Sequence, residues 1–325
     1  MTWLVQAYAK LGLPFWLGAV VTGVAPFSIV AVLDYLFAPY DIVDGSLGVA
    51  GYSAYVVYLL FAVRFTLEKV GDLEEHSRSM GLEYTAIRPR TGLHRLGPLL
   101  LMSILAGALS LLNGVPNPAL VFQEHTLAVS YLLLILSYFI WVYGNSMLAI
   151  YRMGKLPLQL KPYTEDRTMG LRPFGTASLQ LTSVYGVFPV SILLVSIALS
   201  NLTLSDLVIV TGMILAGFAL FFLPLLSIHR KLQQAKSNEL GWVLPRYTRI
   251  IQQLKGETAD GSRAGPESDS IANELLMVRS IQQDILQIHT WPIDVSILSR
   301  LVTVLALPPL LGVIARILVL VFLRV

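Results

Sequence analysis

The string Lys161-Pro162-Tyr163-Thr164-Glu165-Asp166-Arg167, followed shortly by Arg172-Pro173, mixes carboxylates and cations in a chain otherwise poor in charge. An enzyme acting on lipid headgroups needs such a mixture at the membrane surface, where the acid moves protons and the cations hold phosphate. The same residues also describe a solvated loop in which Glu165 and Asp166 neutralise Arg167. Lys161, Asp166, Arg167 and Arg172 are therefore the interfacial candidates.

Other chemistries find little support. The string lacks the lysine-to-Arg-Pro signature of membrane phosphatases, because Glu165 stands at the required lysine position, and it lacks the aspartate-rich repeats of prenyl- and alcohol-phosphotransferases. There is no GxxxxGK[ST] phosphate loop, HExxH pair, GxSxG elbow or GxGxxG turn in the chain. His76, His94, His125, His229 and His289 stand far apart, and no two of them are spaced i, i+4 on one helix face. With 0 cysteines, thiolate metal sites, iron–sulfur clusters, disulfides and cysteine nucleophiles are ruled out. The expectation is a protein with no catalytic residues, no metal and no cofactor.

Polar residues at membrane depth form the second set of candidates, because ionisable groups in a bilayer are costly and mark function by default. Asp34 closes the first apolar stretch and Arg64 the second, where both can reach interfacial water. Tyr138 and Asn145 in the fourth stretch, and Tyr185 in the fifth, could bond to neighbouring helices or line a wet pathway. The last segment opens with Trp291-Pro292-Ile293-Asp294, then carries Arg300, Pro308-Pro309, Arg316 and Arg324. On a continuous helix Arg316 lies roughly 24 Å beyond Arg300, in the outer half of the bilayer. The tandem prolines also allow two short pieces that re-enter the membrane; the spanning, kinked helix is the preferred reading.

The elements that must position these residues follow from composition. Of 325 residues, 55% are apolar and 13% charged, about half the charge of an ordinary soluble domain, and mean hydropathy is +0.69. The chain therefore reads as an all-helical polytopic membrane protein with six or seven transmembrane helices. Six spans fall at residues 14–33, 47–63, 98–112, 127–150, 176–200 and 207–228, and a seventh apolar stretch at 297–323. The N-terminus lacks the pattern of a cleaved secretory signal, so the first stretch is expected to be retained.

Net charge is only +3, but the charges are polarised. Connections 38–46, 114–126 and 201–206 contain no Lys or Arg, whereas 64–97 holds six, 152–175 five and 230–279 eight. The positive-inside rule places the basic connections and the N-terminus in the cytoplasm, as in a plasma (inner) membrane protein. Residues 1–228 are then three two-span hairpins, 229–290 a cytoplasmic helical hairpin with a flexible loop at 256–270, and 291–325 the C-terminal membrane segment. The hairpin rests on apolar positions 271, 275, 278, 281, 285 and 288, spaced to make one helical face. A Tyr-Thr-…-Arg string recurs at Tyr84, Tyr163 and Tyr247, which suggests an internal repeat with membrane-entry turns.

These features point to an oligomeric transport protein, in particular an ion channel, whose partners are the lipid bilayer, further copies of the chain and small inorganic ions, with no nucleic acid. Arg316, Arg300, Asp34, Tyr138, Asn145 and Tyr185 are its candidate pore or intramembrane residues. The alternatives are a membrane sensor or scaffold that signals through the cytoplasmic hairpin, and a lipid-modifying enzyme built on Glu165, Asp166 and Arg172. Acidic outer connections favour cations and Arg316 in a pore favours anions, so selectivity stays open.

Overall fold

The computed structural model describes the backbone at residues 8, 10–37, 42–81, 97–112, 125–191, 204–259 and 266–323. Side chains are described within those stretches except at 30–31, 33–37, 42–49, 105–112, 125–129, 204–207, 256–259, 266–269, 308–309, 311–313 and 315–323. Among the described residues every regular element is a helix. In chain order the longer ones are α1 (Phe15–Phe37), α2 (Ile42–Ser79), α3 (Gly97–Leu112), α4 (His125–Lys155), α5 (Arg172–Tyr185), α6 (Leu204–Ala259), α7 (Pro266–Leu286) and α8 (Val295–Leu323).

Three helical stretches among the described residues are long and apolar enough to cross a bilayer: Ala50–Ser79, Ser130–Lys155 and Val208–Lys255. Shorter apolar stretches lie at Phe15–Ile29 and Val295–Leu307. Helices can satisfy all their backbone groups without water, and so apolar composition and all-helical structure belong together in a membrane protein.

The chain divides into two compact units. The first comprises Met1–Gly71 and Thr85–Ser146. Its core is apolar, with Ala19 and Phe27 of α1, Val56 and Leu59 of α2, and Ile135 and Phe139 of α4 all buried. The Tyr131 hydroxyl donates to the Thr22 carbonyl at 2.8 Å and ties α4 to α1. Arg64 lays its guanidinium over the Phe15 ring at 4.6 Å, a cation–π contact that ties α2 to α1.

The second unit comprises Asp72–Tyr84 and Met147–Val325. Within it α5 packs on α6 and α8, and α6 packs along α7. The α6 and α7 chains run in opposite directions: Arg246 bonds Glu274 at 2.7 Å, and nearer the start of α6 the Lys236 ammonium reaches the Leu286 carbonyl at 2.6 Å. The core between them is Leu232, Val243 and Ile250 from α6 with Val278 and Ile285 from α7, the helical spacing expected of 271–288.

One expectation changes and one alternative falls away. The segment 256–270 is helical at both ends, since α6 runs to Ala259 and α7 begins at Pro266; the expected loop narrows to 260–265, outside the described residues. Proline suits a first helical position because the N–H it lacks would have no intrahelical partner there. Gly241 and Pro245 do not interrupt α6, because each removes at most one ladder bond and the packed neighbours hold the rest. Residues 295–323 form one helix across Pro308-Pro309, without the break that a re-entrant pair of pieces requires. Of the suggested repeat, the first string lies outside the described residues, the second is a loop, and Tyr247-Thr248-Arg249 is mid-helix.

Candidate functional site

Residues 156–171 join α4 to α5, and their lack of regular structure has local causes. Pro157 and Pro162 deny N–H groups to any helix, and Asp166 then organises the chain around its carboxylate. Oδ1 accepts from the Thr168 N–H at 2.9 Å and from the Thr168 hydroxyl at 2.8 Å. Oδ2 accepts from the Gly170 N–H at 2.9 Å. The turn is tight enough to force left-handed backbone at Met169 (φ 52°) and Gly170 (φ 85°). Glycine takes that conformation freely, while Met169 carries strain that the Asp166 bonds must offset.

Several elements clamp this loop. From the end of α2, the His76 Nε2–H donates to the Gly170 carbonyl at 2.9 Å, and the Met80 carbonyl accepts from the Gln159 N–H at 2.9 Å. From α6, the Lys231 ammonium donates to the Leu156 carbonyl. From the strap 287–294 between α7 and α8, the His289 N–H donates to the Arg167 carbonyl at 3.1 Å. The strap is itself anchored: His229 Nδ1–H donates to the Thr290 carbonyl at 2.7 Å, and its ring stacks on Trp291 at 4.2 Å between centroids. Arg172 at the start of α5 bonds Asp294 at 2.9 Å. Gly175 allows the closest approach: a Cβ there would lie 1.9 Å from the Pro292 carbonyl oxygen.

The electrostatics follow from these contacts. Partial burial pushes the Asp166 carboxyl up, but the Thr168 and Gly170 bonds and the Lys161 charge outweigh it and hold it below the usual carboxylate range. Asp294 is also held low, by the Ser296 hydroxyl first, then the Ile297 N–H and Arg172. Tyr163 is pushed up by burial and by the neighbouring Glu239 and Asp284 carboxylates. Among the described residues no cluster of His, Asp and Glu could hold a metal ion.

A second polar feature lies along α5. The Ser178 hydroxyl donates to the Phe221 carbonyl at 2.9 Å, and the Tyr185 hydroxyl to the Met213 carbonyl at 3.1 Å. These two bonds set an antiparallel register of α5 on α6, with Thr182 one turn from each. The Thr182 hydroxyl is fully buried and finds no partner among the described residues. The helix α5 ends at Tyr185; Gly186 makes a turn, and a short helix carrying Pro189 follows at 187–191.

The sequence candidates are thus distributed as follows. Lys161, Asp166 and Arg167 lie in the 156–171 loop, with both Asp166 oxygens engaged by the loop's own donors, while Arg172 opens α5 and bonds Asp294. Tyr138 and Asn145 belong to the first unit and Tyr185 to the second. The Asn145 amide donates to the Trp141 carbonyl of its own helix at 2.7 Å. Arg300 is exposed on the first turns of α8, while the side chains of Asp34 and Arg316 lie outside the described set. Sequence reasoning missed His76, His229, Asp294 and the strap, whose partners are remote in the chain. Only the tryptophan and proline at 291–292 flagged that stretch. Comparison of the chain with family models, curated proteins and solved structures returned no match.

Proposed function

We propose that this chain is an oligomeric membrane transport protein that conducts small inorganic ions, with the N-terminus and the α6–α7 pair on the cytoplasmic side of a plasma (inner) membrane. The observation that carries the reading is α5: a short helix rich in hydroxyl groups, packed against the long apolar helices α6 and α8, bearing the buried Thr182 hydroxyl, which has no partner among the described residues, and ending at Tyr185. A helix needed only for support is expected to present apolar side chains there, since a buried hydroxyl without a partner costs about 1–3 kcal/mol. Hydroxyl and carbonyl oxygens at membrane depth suit a pathway for ions, and interrupted helices recur beside such pathways.

Orientation has its own support. The ends that the charge rule assigns to the cytoplasm meet at the 156–171 loop: the end of α2 through His76, the end of α4, the start of α5 through Arg172, the middle of α6 through Lys231 and the approach to α8 through Asp294. In this reading α8 crosses the bilayer as the seventh span, and the remaining apolar helices supply the other six. A lipid-modifying reaction at Asp166 would have to withdraw its carboxylate from the donors that hold the turn, so the enzyme reading is the weaker one.

The test is flux from proteoliposomes containing the purified full chain. Currents or tracer flux that Thr182→Val and Tyr185→Phe alter in rate or selectivity support the proposal. Flux absent across voltage, pH and calcium conditions, with protein confirmed in the vesicles, overturns it.

A further inference from the structure

The α6–α7 pair carries large apolar side chains outside its own core. Trp242 is 49% exposed and Leu244 45% on α6, and Leu276 is 62% and Met277 66% exposed on α7. All four lie well past the apolar part of α6, on the polar portion of the pair. Single exposed apolar residues are unremarkable, but grouped ones mark interaction sites.

Their placement around the helices is fixed by the core and one ion pair. Val243 and Val278 are buried between α6 and α7. At about 100° per residue, Trp242 lies to one side of Val243 and Leu244 to the other. Arg246 falls on the Trp242 side of α6 and Glu274 on the Met277 side of α7. Because Arg246 bonds Glu274 at 2.7 Å, Trp242 and Met277 share one lateral face. Leu244 and Arg279 occupy the opposite face, with Leu276 at its outer edge.

The two faces also differ in charge. Beside Trp242 and Met277, towards the strap, lie Glu239 and Asp284, both close enough to Tyr163 to oppose its ionisation. Glu239 accepts from the Trp242 indole at 2.9 Å, Arg246 is taken up by Glu274, and Arg249 lies further out. The opposite face bears Arg279 and Lys255, both exposed. One face is aromatic with acids on the strap side, and the other is aliphatic and basic.

We infer that a second copy of this chain covers these faces head to tail, the Trp242–Met277 face of one subunit seating on the Leu244–Leu276 face of the next, with Asp284 meeting Arg279. Different faces in contact make a heterologous interface, which closes into a ring when the rotation between subunits permits. Exposed Trp and Met at its centre match the residue types enriched at such contacts. The inference rests on the oligomeric part of the proposed function and names the surface that would serve it.

The chain has 0 cysteines, so single thiols report cleanly. Chains carrying only Trp242→Cys and chains carrying only Leu276→Cys are coexpressed with different tags, and membranes are treated with a short bismaleimide. The expected result is a mixed dimer containing both tags, with little product from either variant alone; Met277→Cys in place of Trp242→Cys repeats the test without removing the indole. Arg279→Glu should raise the dissociation constant of the detergent-solubilised oligomer at least about tenfold, or 1.4 kcal/mol, and Asp284→Arg in the same chain should restore it. Self-linking of each variant alone, or an oligomer by native mass without mixed products, overturns the interface and leaves the transport reading standing. A monomer by native mass overturns the interface and the oligomeric reading together, while ion flux is scored separately in proteoliposomes.

Discussion

Replacing Gly175 by alanine tests whether the strap and the 156–171 loop form one clamped assembly. The added Cβ would sit 1.9 Å from the Pro292 carbonyl oxygen, whereas real Cβ contacts essentially never fall under 3.0 Å, so one side must retreat by at least 1.1 Å. The obstacle is backbone and cannot rotate away. A retreat of that size along the bonds would stretch His229–Thr290 from 2.7 Å and Arg172–Asp294 from 2.9 Å past hydrogen-bond reach. Overpacking costs about 1–3 kcal/mol, and the buried-side His229 bond contributes about 1 kcal/mol more. The exposed Arg172–Asp294 pair adds little, which leaves a total of about 2–4 kcal/mol. Reversible unfolding in mixed micelles measures it, with Gly144→Ala as the control because nothing lies within 4 Å of a Cβ there. The control should be neutral or stabilised by up to about 1 kcal/mol. A Gly175→Ala variant within about 0.5 kcal/mol of the parent would refute the clamp.

Asp166→Ala should destabilise by about 2 kcal/mol and expose 156–171 to protease, because buried Thr168 and Gly170 lose their acceptor. The Asp166 carboxyl is held below its ordinary value, so its contribution is complete above the unfolded value near about 3.9 and is lost as pH falls through the lower folded value. Unfolding midpoints should therefore be flat from neutral pH to about 5 in this respect and decline below about pH 4, and Asp166→Asn should flatten that decline. Thr182→Val should leave stability unchanged or raise it by about 1 kcal/mol, since it removes a buried hydroxyl without a partner among the described residues, while altering flux; a loss of more than 2 kcal/mol would instead reveal a structural bond. Arg172→Ala should cost under about 1 kcal/mol, as the pair with Asp294 is exposed.

Hydropathy and helical periodicity were enough to read the helical class and the positions of most apolar stretches, because both properties are local. Helix continuity was harder. Gly241, Pro245 and Pro308-Pro309 look like breaks when propensity alone is weighed, yet α6 and α8 run through them. A packed helix loses one bond at a proline and keeps the rest. The loop chemistry was legible in kind but not in purpose: Asp166, two residues before Thr168 and four before Gly170, has the spacing of a self-closing turn, while its charge drew attention to catalysis. Tertiary partners were not legible at all. Nothing in the string around Arg172 announces Asp294, 122 positions later, or ties His229 to Thr290.

The strap imposes an order on assembly. Arg172 leaves the ribosome 122 residues ahead of Asp294, which at about 5–20 residues per second is a wait of about 6–24 s. During that interval α5 and the loop before it stand without the segment that fastens them. That loop and α5 thus remain open to chaperones, lipids and neighbouring copies until residues 287–294 emerge and lock them.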